Sequence, residues 1–198
     1  MSRFDTINID MIDNETKELL NDYKNGHGMT PNLIKGLACS PAVLKGYYLF
    51  NEALSHGQLN DKLQLLISLM IAELNGSSYC LAANSALSRM AGINEEEMLM
   101  ARRASAADRR VDRALKFARA VLITRGRIQD SDIQEMKTIG YSDSEIVEII
   151  AHISLNILTN LFAEVAQTPV GFPKVKPLTI DQEKKNPDVH YRKLGTAE

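Results

Sequence analysis

The chain has 198 residues, of which 44% are hydrophobic, so it is long enough for one domain with a buried core. The formal net charge is −2, which argues against a general electrostatic nucleic-acid binder and against a polybasic membrane-surface protein. Two cysteines, Cys39 and Cys80, are too few for a disulfide framework and suit a reducing cytosol. With no signal pattern at the amino terminus and no apolar run near the roughly 20 residues that span a bilayer, we expect a soluble cytoplasmic protein without membrane or nucleic-acid partners.

Helix signals follow one another along the chain. Thr30 and Ser40 each precede a proline, as an N-cap does when proline takes the first helical position, and Asn60 can cap a helix that ends at Gly76. No stretch shows the alternation of a strand, so we expect an all-α bundle of eight to nine helices without significant sheet. One domain is expected over 1–198, with an N-terminal extension at 1–12 and a polar tail at 174–198. The predicted helices span 14–25, 31–38, 41–55, 61–75, 78–91, 95–103, 106–125, 132–138 and 143–167.

The last predicted helix, 143–167, is apolar nearly all round, which is typical of a helix buried centrally or at a subunit interface. One polar line interrupts it, formed by Glu148, His152 and Asn156 at i, i+4 spacing and followed by Thr159 and Asn160. Because buried polar groups need partners, this line is expected to face a polar network or a pocket. The apolar surface exceeds what a single small bundle buries, so we also expect a homo-oligomer.

Cys80 is the residue with the clearest chemical potential. After the helix break at Gly76, Ser77 can cap a new helix, and Cys80 then takes the third helical position. Its sulfur would lie near unsatisfied backbone N–H groups and the positive end of the helix dipole, which favours the thiolate that attacks a peroxide or a disulfide. The alternative is that this lone cysteine is a small buried hydrophobic residue.

The other candidate signals are weaker. Cys39 lies just ahead of the Ser40-Pro41 cap, where a packed residue at a helix end is the favoured interpretation, and geometry decides whether it can reach Cys80. No two histidines share metal-ligand spacing and no phosphate-binding glycine loop occurs, so we expect no metal and no cofactor. The arginines between 102 and 119 alternate with acidic residues, as on a solvated, ion-paired helix face, with carboxylate binding as the alternative.

Residues 73–84 carry a resemblance to a known family. They read ELNGSSYCLAAN and resemble E-L-N-G-C-x-Y-C-x-x-A-H, the signature of the alkylhydroperoxidase D-like, carboxymuconolactone decarboxylase family. SPAVL at 40–44 and AGINEEE at 91–97 are similar to further motifs of the family. NILTNLF at 156–162 and VGFP at 170–173 are similar to the end of its longer, peroxidase-related subgroup. The resemblance covers about residues 30–175 and implies an AhpD-like helical bundle that assembles as trimers or hexamers.

The resemblance also implies thiol-based peroxide reduction. In the family, the two cysteines of C-x-x-C cycle between dithiol and disulfide, and a histidine and a glutamate relay the proton. Cys80 matches the peroxide-attacking cysteine, whereas Ser77 stands in place of the resolving cysteine and Asn84 in place of the relay histidine. Leu65 falls where the relay glutamate is expected. His152 is a candidate replacement base, and a histidine satisfied inside a buried network is the alternative.

These departures make the two-cysteine cycle impossible, because serine forms no disulfide and neither asparagine nor leucine is a general base near neutral pH. A one-cysteine cycle remains, in which Cys80 becomes a sulfenic acid that an external thiol resolves. We therefore predict a peroxiredoxin-type thiol oxidoreductase of antioxidant defence, acting on a small-molecule peroxide with an external thiol reductant. Two alternatives stay open: a catalytically silent binding or assembly protein, and a cysteine-independent enzyme like carboxymuconolactone decarboxylase.

Overall fold

The computed structural model describes residues 2–4 and 12–178, and within these ranges the chain forms nine α-helices and no strand. The all-α prediction is confirmed, and every predicted helix end lies within three residues of the observed one. Most of the predicted extension at 1–12 and of the tail at 174–198 lies outside the described residues. The helices are α1 Asn14–His27, α2 Asn32–Leu37, α3 Pro41–Ser55, α4 Asp61–Asn75, α5 Ser78–Met90, α6 Glu95–Arg102, α7 Arg109–Thr124, α8 Asp130–Thr138 and α9 Asp143–Ala166.

Local capping explains where the helices begin. Ser40 caps α3 by accepting a hydrogen bond from the backbone N–H of Val43, and Asn60 caps α4 with an Oδ1 acceptor 2.9 Å from the N–H of Leu63. The prediction at α2 was wrong by one residue, since the extended backbone of Pro31 (ψ 153°) places this proline, rather than Thr30, at the N-cap position. The helix therefore begins at Asn32 without a side-chain cap.

Two parallel helices, α4 and α9, form the centre of the bundle. Asn156 on α9 donates from Nδ2 to Ser68 Oγ on α4 at 3.1 Å, and one turn later Asn160 Oδ1 accepts from Asn75 Nδ2 at 3.0 Å. Helix α4 also packs against α5, α6 and α7, while α9 packs against α2, α3, α5 and α7. Asn156 and Asn160 of the predicted polar line thus face α4 inside the bundle. Glu148, in contrast, is partly exposed and accepts from the backbone N–H groups of Gln58 and Leu59.

Helix α9 is the one helix of the described chain whose length and composition would allow it to cross a membrane. The central helix of a globular bundle meets the same criteria, because it too is long and apolar. Half of the most apolar stretch of α9 is buried against the helices around it.

A buried carboxylate ties the chain beyond α9 to the bundle. Glu73 on α4 is 2% exposed and accepts two hydrogen bonds at 2.8 Å, from Arg102 Nε on α6 and from the backbone N–H of Leu178. Arg102 also donates from Nη2 to the carbonyl of Lys176 at 2.7 Å. We call residues 168–178 the C-terminal segment, and its far end is held at the last turn of α4.

Replacing Glu73 with glutamine should lower the free energy of unfolding by about 3 kcal/mol, because a buried arginine then keeps its charge without a partner. Urea denaturation followed by circular dichroism measures this loss. Glu97→Gln is the matched control, since the Lys62–Glu97 pair has side chains that are 51% and 35% exposed. The control substitution should lower the free energy of unfolding by less than about 1 kcal/mol. Equal losses in the two variants would contradict the assignment of Glu73 as a structural anchor.

Candidate active site around Cys80

The turn between α4 and α5 places Cys80 in the first turn of a helix, as predicted. Gly76 ends α4 with a left-handed backbone (φ 68°), and the N–H of Ser77 donates to the carbonyl of Ala72 at 3.0 Å. This is the hydrogen bond of a Schellman motif, which reverses the chain sharply. Helix α5 then begins at Ser78, so the side chain of Cys80 lies at the turn between the two helices.

Ser77 takes the N-cap position of α5, but its side chain makes no capping hydrogen bond. The residue is 1% exposed, and its Oγ has no hydrogen-bond partner of good geometry in the described part of the chain. Instead the hydroxyl lies beside the Cys80 sulfur, close enough to favour its anionic form. The N–H groups of Tyr79 and Cys80, which an N-cap side chain normally satisfies, are left without that acceptor.

Helix α9 brings a second unsatisfied donor to the same sulfur. Asn160 is 1% exposed, and because its Oδ1 accepts from Asn75, its Nδ2 is a buried donor without a partner among the described residues. The neighbouring Thr159 is already engaged, since its Oγ1 donates to the carbonyl of Asn156 at 3.1 Å. Asn160 and Thr159 both lie near enough to Cys80 to favour a thiolate.

Burial dominates the acidity of the Cys80 thiol. The residue is a free cysteine and 5% exposed, and this burial raises the pKa of the thiol above its ordinary value. The side chains of Ser77, Asn160 and Thr159 lower the pKa, whereas the carboxylate of Glu164 raises it further. The removal of the sulfur from water therefore outweighs the effect of these side-chain donors on the pKa of Cys80.

Two tyrosines, Tyr79 and Tyr47, lie near Cys80. Tyr79 accepts a hydrogen bond at its phenol oxygen from the N–H of Leu33 (3.2 Å), and its ring contacts Phe172 edge-to-face at 5.9 Å. Because Phe172 belongs to the C-terminal segment, that segment covers the start of α5. Burial raises the pKa of Tyr79 to about 12 and also raises that of Tyr47 on α3, so both phenols stay protonated at neutral pH.

The structure separates His152 from this site. His152 is 4% exposed, and burial lowers its pKa although Glu148 acts in the opposite direction. It lies eight residues before Asn160 on the same helix, which is about 12 Å along the helix axis. The imidazole is therefore not beside the Cys80 sulfur, and the geometry does not support its predicted role as a replacement base.

The remaining predicted residues lie in different surroundings. Asn84 is half-buried one turn after Cys80 on the same side of α5, and its amide makes no hydrogen bond to another described residue. Cys39 is exposed and Cys80 is buried, and no disulfide joins them. Within the described ranges, no cluster of three or more histidine, cysteine or acidic side chains is placed to hold a metal ion.

Sequence reasoning did not identify Asn160 as a neighbour of Cys80. The available signal was the i, i+4 polar line, because His152 and Asn156 continue to Asn160 at the same spacing. The spacing of these residues does not indicate which helix they pack against.

One family model matches the middle of the chain. Residues 41–123, from the start of α3 to the end of α7, match the model of the carboxymuconolactone decarboxylase family. No curated protein matches the chain.

Several solved structures share the fold. The AhpD core of an uncharacterized peroxidase-related protein from Ralstonia eutropha JMP134 is 19% identical, with a TM-score of 0.79 over 86% of this chain and 92% of that one. An uncharacterized peroxidase-related protein from Silicibacter sp. TM1040 is 22% identical, with a TM-score of 0.72 over 83% and 90%. The debrominase Bmp8, solved as a C82A variant with 2,3,4-tribromopyrrole, is 16% identical, with a TM-score of 0.68 over 79% and 86%.

At these identities the neighbours establish the fold, and the family model covers the five helices α3 to α7, which include the α4–α5 turn but not α9. Residues 41–123 therefore match the carboxymuconolactone decarboxylase family, and the described chain has the fold of the AhpD-like, peroxidase-related proteins.

Proposed function

We propose that this protein is a one-cysteine thiol oxidoreductase that reduces a peroxide at Cys80. The observation that carries the proposal is the pair of buried, unpartnered donors beside the sulfur, Ser77 Oγ and Asn160 Nδ2. A thiol sulfur is a weak hydrogen-bond acceptor, so these donors are poorly satisfied in the resting protein. An anionic sulfur, or an oxygen attached to the sulfur, satisfies them better.

The proposed first step needs no resident cofactor. The thiolate of Cys80 attacks the distal oxygen of a hydroperoxide, ROOH, so that an S–O bond forms while the O–O bond breaks. The sulfur is oxidised by two electrons, the peroxide is reduced, and the proton of the transferred oxygen passes to the departing alkoxide to give the alcohol ROH. Cys80 is left as a sulfenate, or as sulfenic acid after protonation.

The second step requires an external thiol, because Ser77 occupies the position of a resolving cysteine. The incoming thiol attacks the sulfur of the sulfenic acid, water leaves, and a mixed disulfide forms. A second thiol molecule then releases Cys80 and departs as the oxidised disulfide of the reductant. The exposed Cys39 takes no part in this scheme.

The raised pKa of the Cys80 thiol favours one second candidate, a catalytically silent binding or assembly protein. Such a protein would keep the fold and the buried cysteine without turning over peroxide. The two candidates differ in a single measurable property, the consumption of peroxide that depends on Cys80.

We also propose that the protein is a homo-oligomer whose contact surface includes the solvent side of α9. Val147 and Leu161 are 64% and 62% exposed, and they belong to a stripe with the three- and four-residue spacing of a helix–helix seam. A second copy of this chain fits this surface because the stripe is apolar toward both ends of α9, with only the small Ser154 between, and can pair with itself. The stripe consists of Val147, Ile150, Leu158, Leu161 and Val165.

Cys80→Ser should abolish the consumption of an organic hydroperoxide in the presence of a small dithiol, because it removes the attacking sulfur. Cys39→Ser is the matched control and should retain the wild-type rate. Loss of peroxide is followed by a colorimetric assay. Peroxide consumption that persists in Cys80→Ser would refute a role for this thiol. A wild-type protein that consumes no peroxide would favour the catalytically silent binding or assembly protein.

The rate of peroxide consumption should rise with pH. Since burial raises the pKa of Cys80, the reactive thiolate is scarce near neutrality and increases tenfold for each pH unit below that pKa. In the Cys39→Ser background, alkylation of Cys80 by iodoacetamide should follow the same profile between about pH 6 and about pH 9. A plateau reached below about pH 7 would mean that the helix N-terminus outweighs burial.

Leu161→Arg should convert the oligomer to a smaller species in light-scattering measurements, because a charge would be buried in the contact. Leu99→Arg on α6 is the control, since Leu99 is exposed outside the stripe. A wild-type protein that is monomeric at micromolar concentration would contradict the proposed contact.

A further inference from the structure

The amide of Asn160 has a fixed orientation. Asn75, at the end of α4, donates from Nδ2 to Asn160 Oδ1 at 3.0 Å. An amide whose oxygen is held in this way presents its NH₂ group on the opposite side. That group is buried, has no partner in the described part of the chain, and lies on the side of the Cys80 sulfur.

A second asparagine on the same helix shows that this state is unusual. Asn156, one turn earlier on α9, is also buried, but its Nδ2 donates both to Ser68 Oγ at 3.1 Å and to the carbonyl of His152 at 2.8 Å. Buried amide donors normally find such partners. The unsatisfied donor of Asn160 therefore points to an acceptor that is absent while Cys80 is a thiol.

We infer that Asn160 is a catalytic residue of the proposed peroxidase and that its Nδ2–H group donates to the oxygen that Cys80 takes from the peroxide. Ser77 Oγ is the second donor, and Asn75 is a positioning residue that holds the Asn160 amide. This inference rests on the proposed function. It assigns a role to a helix that lies outside the residues matched by the family model.

The two donors explain how the step can proceed without a base at the sulfur. When sulfur attacks the distal oxygen, the proton of that oxygen passes to the departing alkoxide, so the oxygen kept on sulfur carries the negative charge. Preorganised donors stabilise such developing charge most effectively in a site from which water is excluded. Cys80 is 5% exposed, so the sulfenate should persist until an external thiol reaches it.

The test compares three variants in the Cys39→Ser background. Asn160→Asp keeps the size of the side chain but removes its NH₂ donors. Asn75→Ala removes the amide that orients Asn160, and Asn75 is itself exposed at the end of α4. Asn156→Ala is the matched control for the loss of a buried α9 amide. Circular dichroism shows whether each variant is folded.

The first readout is sulfenic acid at Cys80, trapped with dimedone and counted by mass spectrometry after a pulse of organic hydroperoxide. We expect Asn160→Asp to slow its formation by at least about tenfold and to shorten its lifetime, since one donor to developing charge is lost. Asn75→Ala should shift both quantities in the same direction by a smaller factor. The control should stay within about twofold of the wild type.

The second readout, the pH profile of Cys80 alkylation, does not depend on peroxide chemistry. Asn160→Asp should move the profile to higher pH, and Asn156→Ala should leave it unchanged. If folded Asn160→Asp oxidises at the wild-type rate, the inference is overturned while the proposed function stands. If wild-type Cys80 forms no sulfenic acid, the proposed function fails, and an unmoved alkylation profile in Asn160→Asp would then overturn the contact with the sulfur as well.

Discussion

The parallel packing of α9 on α4 determines the chemistry available to Cys80. The turn after α4 sets the position of the cysteine, but the groups around its sulfur come from both helices. Asn75 and Asn160 join the two helices by a hydrogen bond at the height of the α4–α5 turn. Because this contact fixes the axial position of α9 relative to α4, it also fixes which α9 side chains lie beside the sulfur. A shift of one turn would offer Asn156 in place of Asn160.

Two opposing effects set the state of the thiol. The first turn of α5 offers unsatisfied N–H groups, and Ser77 and Asn160 offer donors, all of which favour an anion. Burial removes water from the sulfur, and this effect prevails and raises the pKa of Cys80. The resting site is therefore better suited to a neutral thiol than to a thiolate. Its unsatisfied donors gain a full partner only when charge or oxygen arrives at the sulfur.

The helices were predictable because their signals are local. The caps at Ser40 and Asn60 and the break at Gly76 act within a few residues, so the sequence places Cys80 correctly in the first turn of α5. The direction of the pKa shift was not predictable, since it depends on how deeply the sulfur is buried once distant parts of the chain, among them α9, pack around it. The same limit applies to Asn160, because its position beside Cys80 depends on the axial position of α9 relative to α4.

The α4–α5 turn also shows why its likeness to the family signature says more about fold than about activity. Glu73 anchors α6 and the C-terminal segment, Asn75 joins α9, and Gly76 makes the left-handed reversal. Each of these residues has a structural task, and for Asn75 the proposed positioning of Asn160 is added to it. Activity must therefore be judged at the positions that face the sulfur. In the proposed function, Ser77 and Asn160 face the sulfur, and such groups can hold an oxygen on sulfur but cannot remove it. Removal is left to a thiol from outside, which makes the lifetime of the oxidised cysteine the property that the proposed site most directly controls.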